Sequence, residues 1–214
     1  MSSSPSFLDP VVLPLVRGSE ILDVACGYGR WGCLLKANHF EWGLAQFPRV
    51  VGVDGDEKCC AYARSLGVYS EVWQRMLPCE LPEKSFDTVL ASEVIEHLPQ
   101  AQIDPFLDSL QKAARQRVIL TTPNFECLRG GSTGPLGFNQ LDAHLSSVSL
   151  QFLRDRGFKV HGAGFGNRTY LRTRILAKLT STLGWNPEWL CSGFSYYWPE
   201  FGHTLVAYRD RNAS

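Results

Sequence analysis

From Glu20 onward, short apolar runs alternate with stretches of helical periodicity, and no other feature narrows the fold of this chain as far. The runs are Ile21–Ala25, Val50–Val53, Phe86–Ala91 and Val118–Thr121, and between them Arg30–Asn38, Glu57–Leu66 and Ile103–Arg115 have helical spacing. Ser70–Gln74 is a weaker strand candidate. A helix around Ser147–Arg156, a strand around Lys159–Gly162 and a last strand at Thr204–Tyr208 complete the series. Parallel neighbours need a crossover, so this alternation builds β-α-β units and a mainly parallel sheet. A chain of 214 residues suits one well-buried domain with an elaboration.

One stretch breaks the rhythm. Phe165–Gly202 opens with Asn167, Arg168, Arg172, Arg174 and Lys178 among apolar residues. It then concentrates Trp185, Trp189, Phe194, Tyr196, Tyr197 and Trp198, and is expected to form a helical cap over the strand ends.

Composition removes several classes of function. Hydrophobic residues make up 44% and charged residues 20%, which calls for a packed core rather than a disordered or fibrous chain. The 21 basic and 21 acidic residues cancel, so no global field draws the protein to nucleic acid or an anionic membrane. The 7 cysteines form no C-x-x-C pair, and several fall in expected strands and helices, so they read as buried reduced thiols. MSSSPSFLDP lacks a basic region followed by an apolar run, and no run of 18 apolar residues occurs. The expectation is a cytoplasmic protein with no integral membrane contact.

The chemistry begins at ILDVACGYGRWG, an apolar strand set directly before a glycine turn and a helix. Gly27 and Gly29 permit positive φ and close backbone approach, and the helix start offers unpaired N–H groups to a polar or anionic ligand end. The next strand, VVGVD, ends in Asp54, placed to accept both hydroxyls of a ribose. Capping of the helix near Glu57 would explain Asp54 or Asp56 alone, but leaves the glycine turn unexplained. Gly27–Gly32 also spells G-x-G-x-x-G, the pyrophosphate fingerprint of dinucleotide proteins. Asp23, four residues before Gly27, faces the same turn and suits the ammonium of a methionine moiety better than two phosphates.

Asp23-Val-Ala-Cys-Gly27-Tyr-Gly29 resembles D-x-G-x-G-x-G, motif I of the class I S-adenosylmethionine-dependent methyltransferases, with Ala25 at the first glycine narrowing the methionine end. FDTVLASEVIEHLP, residues 86–99, resembles the family's fourth-strand motif, including E-x-x-E-H at Glu93, Glu96 and His97. RVILTTPN, residues 117–124, is similar to its fifth strand, and His144 with the later SLQFLRDRGFKV is similar to the lead into its sixth. YYWPEFGHTLVAYRD looks like the end of some uncharacterised bacterial and archaeal members.

The resemblance implies a Rossmann-like, doubly wound seven-stranded α/β sheet with its last strand antiparallel, and a helical, aromatic insertion between the last two strands. It implies a single domain over residues 1–214 with an inserted cap at 165–202. It implies S-adenosyl-L-methionine as cofactor, on Asp23, Ala25, Cys26, Gly27, Tyr28, Gly29, Asp54, Gly55, Met76, Ser92 and Glu93. Where the family often has an acid after strand three, Arg75 and Met76 stand, so backbone groups near Met76 are expected to meet the adenine.

Methyl transfer is accelerated chiefly by positioning, and a base is needed only for an acceptor with a high-pKa proton. His97, His144 and Glu93 are the catalytic candidates; plain structural roles after strand four or in a loop compete for each. The expected acceptor is a small or lipid-like molecule, with peripheral membrane contact and a homodimer both compatible. Glu93, Glu96, His97 and His144 also resemble the metal ligands of small-RNA 3′-terminal 2′-O-methyltransferases. The balanced charge speaks against RNA, so neither a metal nor a nucleic-acid partner is expected. A silent cofactor-binding interaction module is the alternative from another class.

Overall fold

The computed structural model describes residues 4–41, 47–166, 175, 178–179, 181–184 and 193–211. Seven strands form the main sheet: β1 (Glu20–Val24), β2 (Arg49–Asp54), β3 (Glu71–Gln74), β4 (Phe86–Ser92), β5 (Ala114–Pro123), β8 (Lys159–Ala163) and β9 (Thr204–Asp210). Their order is β3-β2-β1-β4-β5-β9-β8. β1 to β5 pair in parallel, and β9 runs antiparallel to both β5 and β8. The expected seven-stranded sheet with an antiparallel last strand is what forms.

Helices cover both faces, which is why the central strands are apolar on successive residues rather than alternately. Leu22, Val24, Val51, Val53, Val89, Ala91 and Leu120 face one layer of the core. Against it lies α4 (Ile103–Ala113), which buries Ile103, Phe106, Leu107, Leu110 and Ala113 along one helical stripe. The opposite layer joins Trp31 of α2 (Arg30–Glu41) to Leu90, Ile119 and Val206. It is closed by Leu8 and by Val12 of α1 (Asp9–Val12), an N-terminal plug that the sequence pattern did not announce. Chain order reverses between β1 and β4, each the other's neighbour, so the loops after them diverge and leave a crevice at their carboxyl ends.

Three local differences from the sequence pattern have physical causes. The helix expected to reach Arg115 stops at Ala113, because Arg117 is drawn into β5 by Asp210 at 2.6 Å and by the Leu15 carbonyl at 2.9 Å. α5 is shorter than expected, Leu150–Asp155, since the Ser149 side chain accepts from Phe152 N and fixes its start. After β5 comes a two-stranded hairpin, β6 (Ser132–Gly134) and β7 (Gly137–Asn139), which was not expected at all.

The insertion does lie between β8 and β9, but Asn167, Arg168, Tyr170, Arg172, Arg174, Trp185 and Trp189 fall outside the described residues. Of its described aromatics, Tyr196 stacks on His161 at 3.9 Å and Phe194 on Trp198 at 4.6 Å. Among the described residues no helix is long and apolar enough to cross a membrane.

Candidate active site

The turn after β1 is built by residues that must leave ordinary backbone conformations. Ala25, Gly27 and Gly29 have φ of 58°, 51° and 82°, and a Cβ on Gly29 would stand 2.7 Å from Leu66 Cδ1. Glycine meets both demands at position 29, while Ala25 holds a left-handed conformation that costs an L residue energy. The carboxylate of Asp54, at the tip of β2, ties the turn down by accepting from Gly27 N and from Asp56 N, each at 2.9 Å. Burial pushes the Asp54 carboxyl up from its usual range, and these two amides oppose the shift. Its remaining lone pairs border a cavity of about 370 Å³ that also touches Ala25, Gly55 and Met76.

Asp23 lies beneath the turn. It is 1% exposed, and its Oδ2 accepts from the Tyr69 hydroxyl at 2.6 Å while Oδ1 has no partner. Tyr69, in the loop before β3, reaches beneath the turn and takes one of the two oxygens of that carboxylate. Burial pushes the Asp23 carboxyl up to about 7, with the Tyr69 hydrogen bond opposing and the Asp54 charge adding. Cys26 is likewise buried, and its amide donates to Val53 O. Both therefore shape the turn from below.

At the other end of the cavity stand the residues following β4. Glu93 has φ of 52°, a conformation held by three contacts with Thr121. Its amide donates to Thr121 O and to Thr121 Oγ1 at 3.0 Å, and the Thr121 hydroxyl donates to Glu93 Oε1 at 2.9 Å. A hydroxyl has one hydrogen, so Ser92 Oγ donates to Thr121 at 2.8 Å and Ser4 Oγ to Ser92 at 3.0 Å, a relay ending on Glu93. Strain of this kind persists where surrounding structure enforces it, commonly at functional sites. Burial pushes Glu93 up to about 7, and raises Glu96 well above the usual range with the Glu93 charge adding. Glu96 is buried and accepts from the Thr122 hydroxyl at 3.1 Å.

The two histidines part company. His97 lines the cavity, and its Nδ1 donates to Ala143 O at 3.0 Å. Burial lowers its pKa to about 4, so at neutral pH the ring is uncharged and Nε2 is an acceptor. His144, edge-on to His97 at 4.8 Å, has Nε2 2.9 Å from Arg129 Nη2. A guanidinium only donates, so that imidazole lone pair is engaged and His144 is the poorer base candidate. Single ligand atoms of Glu96, His97 and His144 lie within 4.8 Å of one another.

The sequence reading missed one wall of this cavity, formed by Asn139, Gln140, Leu141, Ala143 and Leu145 after the hairpin. No strand-length apolar run marks it; only the glycine pair at 130–131 and the Gly134–Gly137 turn hint at a hairpin. Among the described cap aromatics, Tyr196 packs on β8 and Phe194 on Trp198, and none of them is among the described residues that line the cavity.

The donor set fits an S-adenosylmethionine-type cofactor on grounds of this structure. The Asp54 carboxylate borders the cavity, Ala25 of the turn lines it, and an unpartnered carboxylate oxygen of Asp23 lies beneath that turn. Residues 21–117 match a family model described as a methyltransferase domain. No curated protein matches the sequence. An S-adenosylmethionine-dependent methyltransferase from Mesorhizobium loti is 16% identical, covering 96% of this chain and 98% of that one with a TM-score of 0.56. One from Archaeoglobus fulgidus is 17% identical, with 94% and 90% covered and a TM-score of 0.56. Magnesium protoporphyrin IX methyltransferase from Synechocystis, solved with S-adenosylmethionine bound, is 21% identical, with 94% and 77% covered and a TM-score of 0.52. These likenesses are of fold. Together with the methyltransferase-domain match over residues 21–117, they give this chain the fold shared by those S-adenosylmethionine-dependent methyltransferases.

Proposed function

We propose that the protein transfers a methyl group to a small or lipid-like acceptor bearing a proton on the methylated atom. The observation that carries this reading is the continuity of one cavity from Asp54 and Ala25 to Glu93 and His97 under apolar walls that include Val94, Leu98 and Leu145. Sites for small organic molecules combine such walls with a few polar anchors. S-adenosylmethionine, when bound, supplies an electrophilic methyl carbon. Asp54 is placed to hold ribose hydroxyls, and the amides of Gly27 and Asp56 keep its carboxylate aimed. Glu93, half-buried at the end of the hydroxyl relay, sets negative charge beside a cationic donor. An acceptor O–H or N–H gives its proton to Nε2 of His97, and the Ala143 carbonyl on Nδ1 steadies the imidazolium.

His97→Asn retains a donor toward Ala143 but lacks Nε2. It should lower kcat about 10²- to 10³-fold, within the range of general-base effects, and change S-adenosylhomocysteine affinity by less than about threefold. Turnover within about twofold of wild type would show that His97 only shapes the loop.

A second reading, a divalent cation polarising the acceptor from Glu96, His97 and His144, draws on the proximity of those three side chains. Arg129 speaks against it, because its guanidinium already lies on His144 and lowers the basicity of both imidazoles. Excess EDTA should therefore leave turnover unchanged. Activity lost to EDTA and restored by magnesium or manganese would promote the metal reading and make these residues ligands.

A further inference from the structure

The crevice between β1 and β4 would lie open above Gly55 but for the hairpin that follows β5, and this hairpin is fastened from the cofactor side. Leu136, at its turn, accepts from Lys58 Nζ at 3.2 Å through its carbonyl, and its backbone faces the Tyr28 hydroxyl. Tyr28 belongs to the glycine turn and Lys58 to the first turn of α3 (Glu57–Ser65), so the flap spans the crevice. Its base is held as well: Leu145 N and Ser146 N donate to Glu96 O at 2.8 and 3.1 Å. Ser132 Oγ donates to Asp142 Oδ2 at 2.6 Å, and Asn139 Oδ1 accepts from Leu141 N at 2.8 Å, fixing the segment that carries Leu141.

Leu141 is brought to one point with two residues of the nucleoside side. A Cβ added at Gly55 would stand 3.0 Å from Leu141 Cδ1 and 3.1 Å from Met76 Sδ. Gly55 directly follows Asp54, so a ribose on that carboxylate leaves its base beside these apolar groups. Leu141 is 39% exposed and Met76 60%, which leaves hydrocarbon for a planar base to cover. Arg75 offers the base no carboxylate: it lies over the Trp73 ring at 4.8 Å and donates to Glu80 O at 3.3 Å.

We infer that the β6–β7 flap is part of the cofactor site, with Leu141 as the outer wall of an adenine pocket completed by Met76 and Gly55. The inference rests on the cofactor assignment above and deepens it. The missing acid after β3 is thereby offset by apolar enclosure from a distant part of the chain, a means of selecting a purine ring by its faces rather than its amino edge.

Calorimetric titration with two probes tests it: S-adenosylhomocysteine, and 5′-methylthioadenosine, which keeps the adenosine half and lacks the amino-acid end. Leu141→Ala should weaken both by about tenfold and by the same factor, the scale of losing part of one buried leucine contact. Leu141→Met should recover most of the affinity, and melting temperature should move little in both variants because Leu141 is partly exposed. Unchanged affinity for both probes in Leu141→Ala, with a raised KM for the acceptor, would overturn the inference and give the flap to the acceptor. A wild-type chain that binds neither probe would overturn the cofactor assignment itself, a distinguishable failure.

Discussion

Replacement of Asp54 by Ala should weaken S-adenosylhomocysteine binding by roughly tenfold to a hundredfold, the loss expected for charge-assisted hydrogen bonds worth about 1.5–3 kcal/mol. Two losses combine in that variant. The ribose forfeits its acceptor, and the amides of Gly27 and Asp56 forfeit the carboxylate that fixes the turn. The free protein should lose some stability as well, since the two turn amides are left without their acceptor, a cost offset in part by relief of the carboxylate's desolvation. Asp54→Asn, which keeps one acceptor oxygen, should fall between wild type and Asp54→Ala. Calorimetry with a parallel thermal melt reads both quantities. Affinity within twofold of wild type would mean that Asp54 does no more than cap the turn.

Tyr69→Phe should cost about 3 kcal/mol of stability at pH 8, because one hydroxyl serves two buried groups. It donates to Asp23 Oδ2 at 2.6 Å and accepts from Gly32 N at 3.1 Å. For a chain of this length the melting temperature should fall by roughly 6–12 °C. The pH dependence carries the sign of a raised acid. Between the ordinary carboxylate pKa and about 7, the folded protein holds a proton on Asp23 that the unfolded chain has released, so wild-type stability falls as pH rises through that window. At pH 5 Asp23 is protonated and needs the tyrosine less, so Tyr69→Phe should cost about half as much there. Equal losses at pH 5 and pH 8 would contradict this assignment.

Strands, helices and the acid-tipped strand beside the glycine turn were legible in the sequence because each rests on local pattern. Apolar runs bounded by glycine or acid mark β1, β2, β4 and β5 whatever packs on them, and Asp54 ends its strand within five residues of Val50. The rest depends on contacts between distant residues. Nothing near Asp23 shows that Tyr69, 46 positions away, will claim its carboxylate. His97 and His144 look equivalent in sequence, and Arg129 separates them by occupying one lone pair. The flap escaped notice because its strands are three residues each, too short for a period, and its hold on the crevice runs through Lys58 and Tyr28. Aromatic density drew attention to residues 165–202; of the described aromatics there, Tyr196 stacks on β8 and Phe194 on Trp198, while Tyr197 is exposed.

The central claim, a nucleoside-sulfonium site rather than a dinucleotide site behind Gly27–Gly32, is tested most directly by titrating the wild-type chain with S-adenosylhomocysteine and, separately, with NAD⁺. The account predicts saturable one-to-one binding of S-adenosylhomocysteine and no heat from NAD⁺, since the cavity beside Asp54 is walled by Leu141 of the flap and bordered by the acid Glu93. Binding of NAD⁺ without S-adenosylhomocysteine would contradict it.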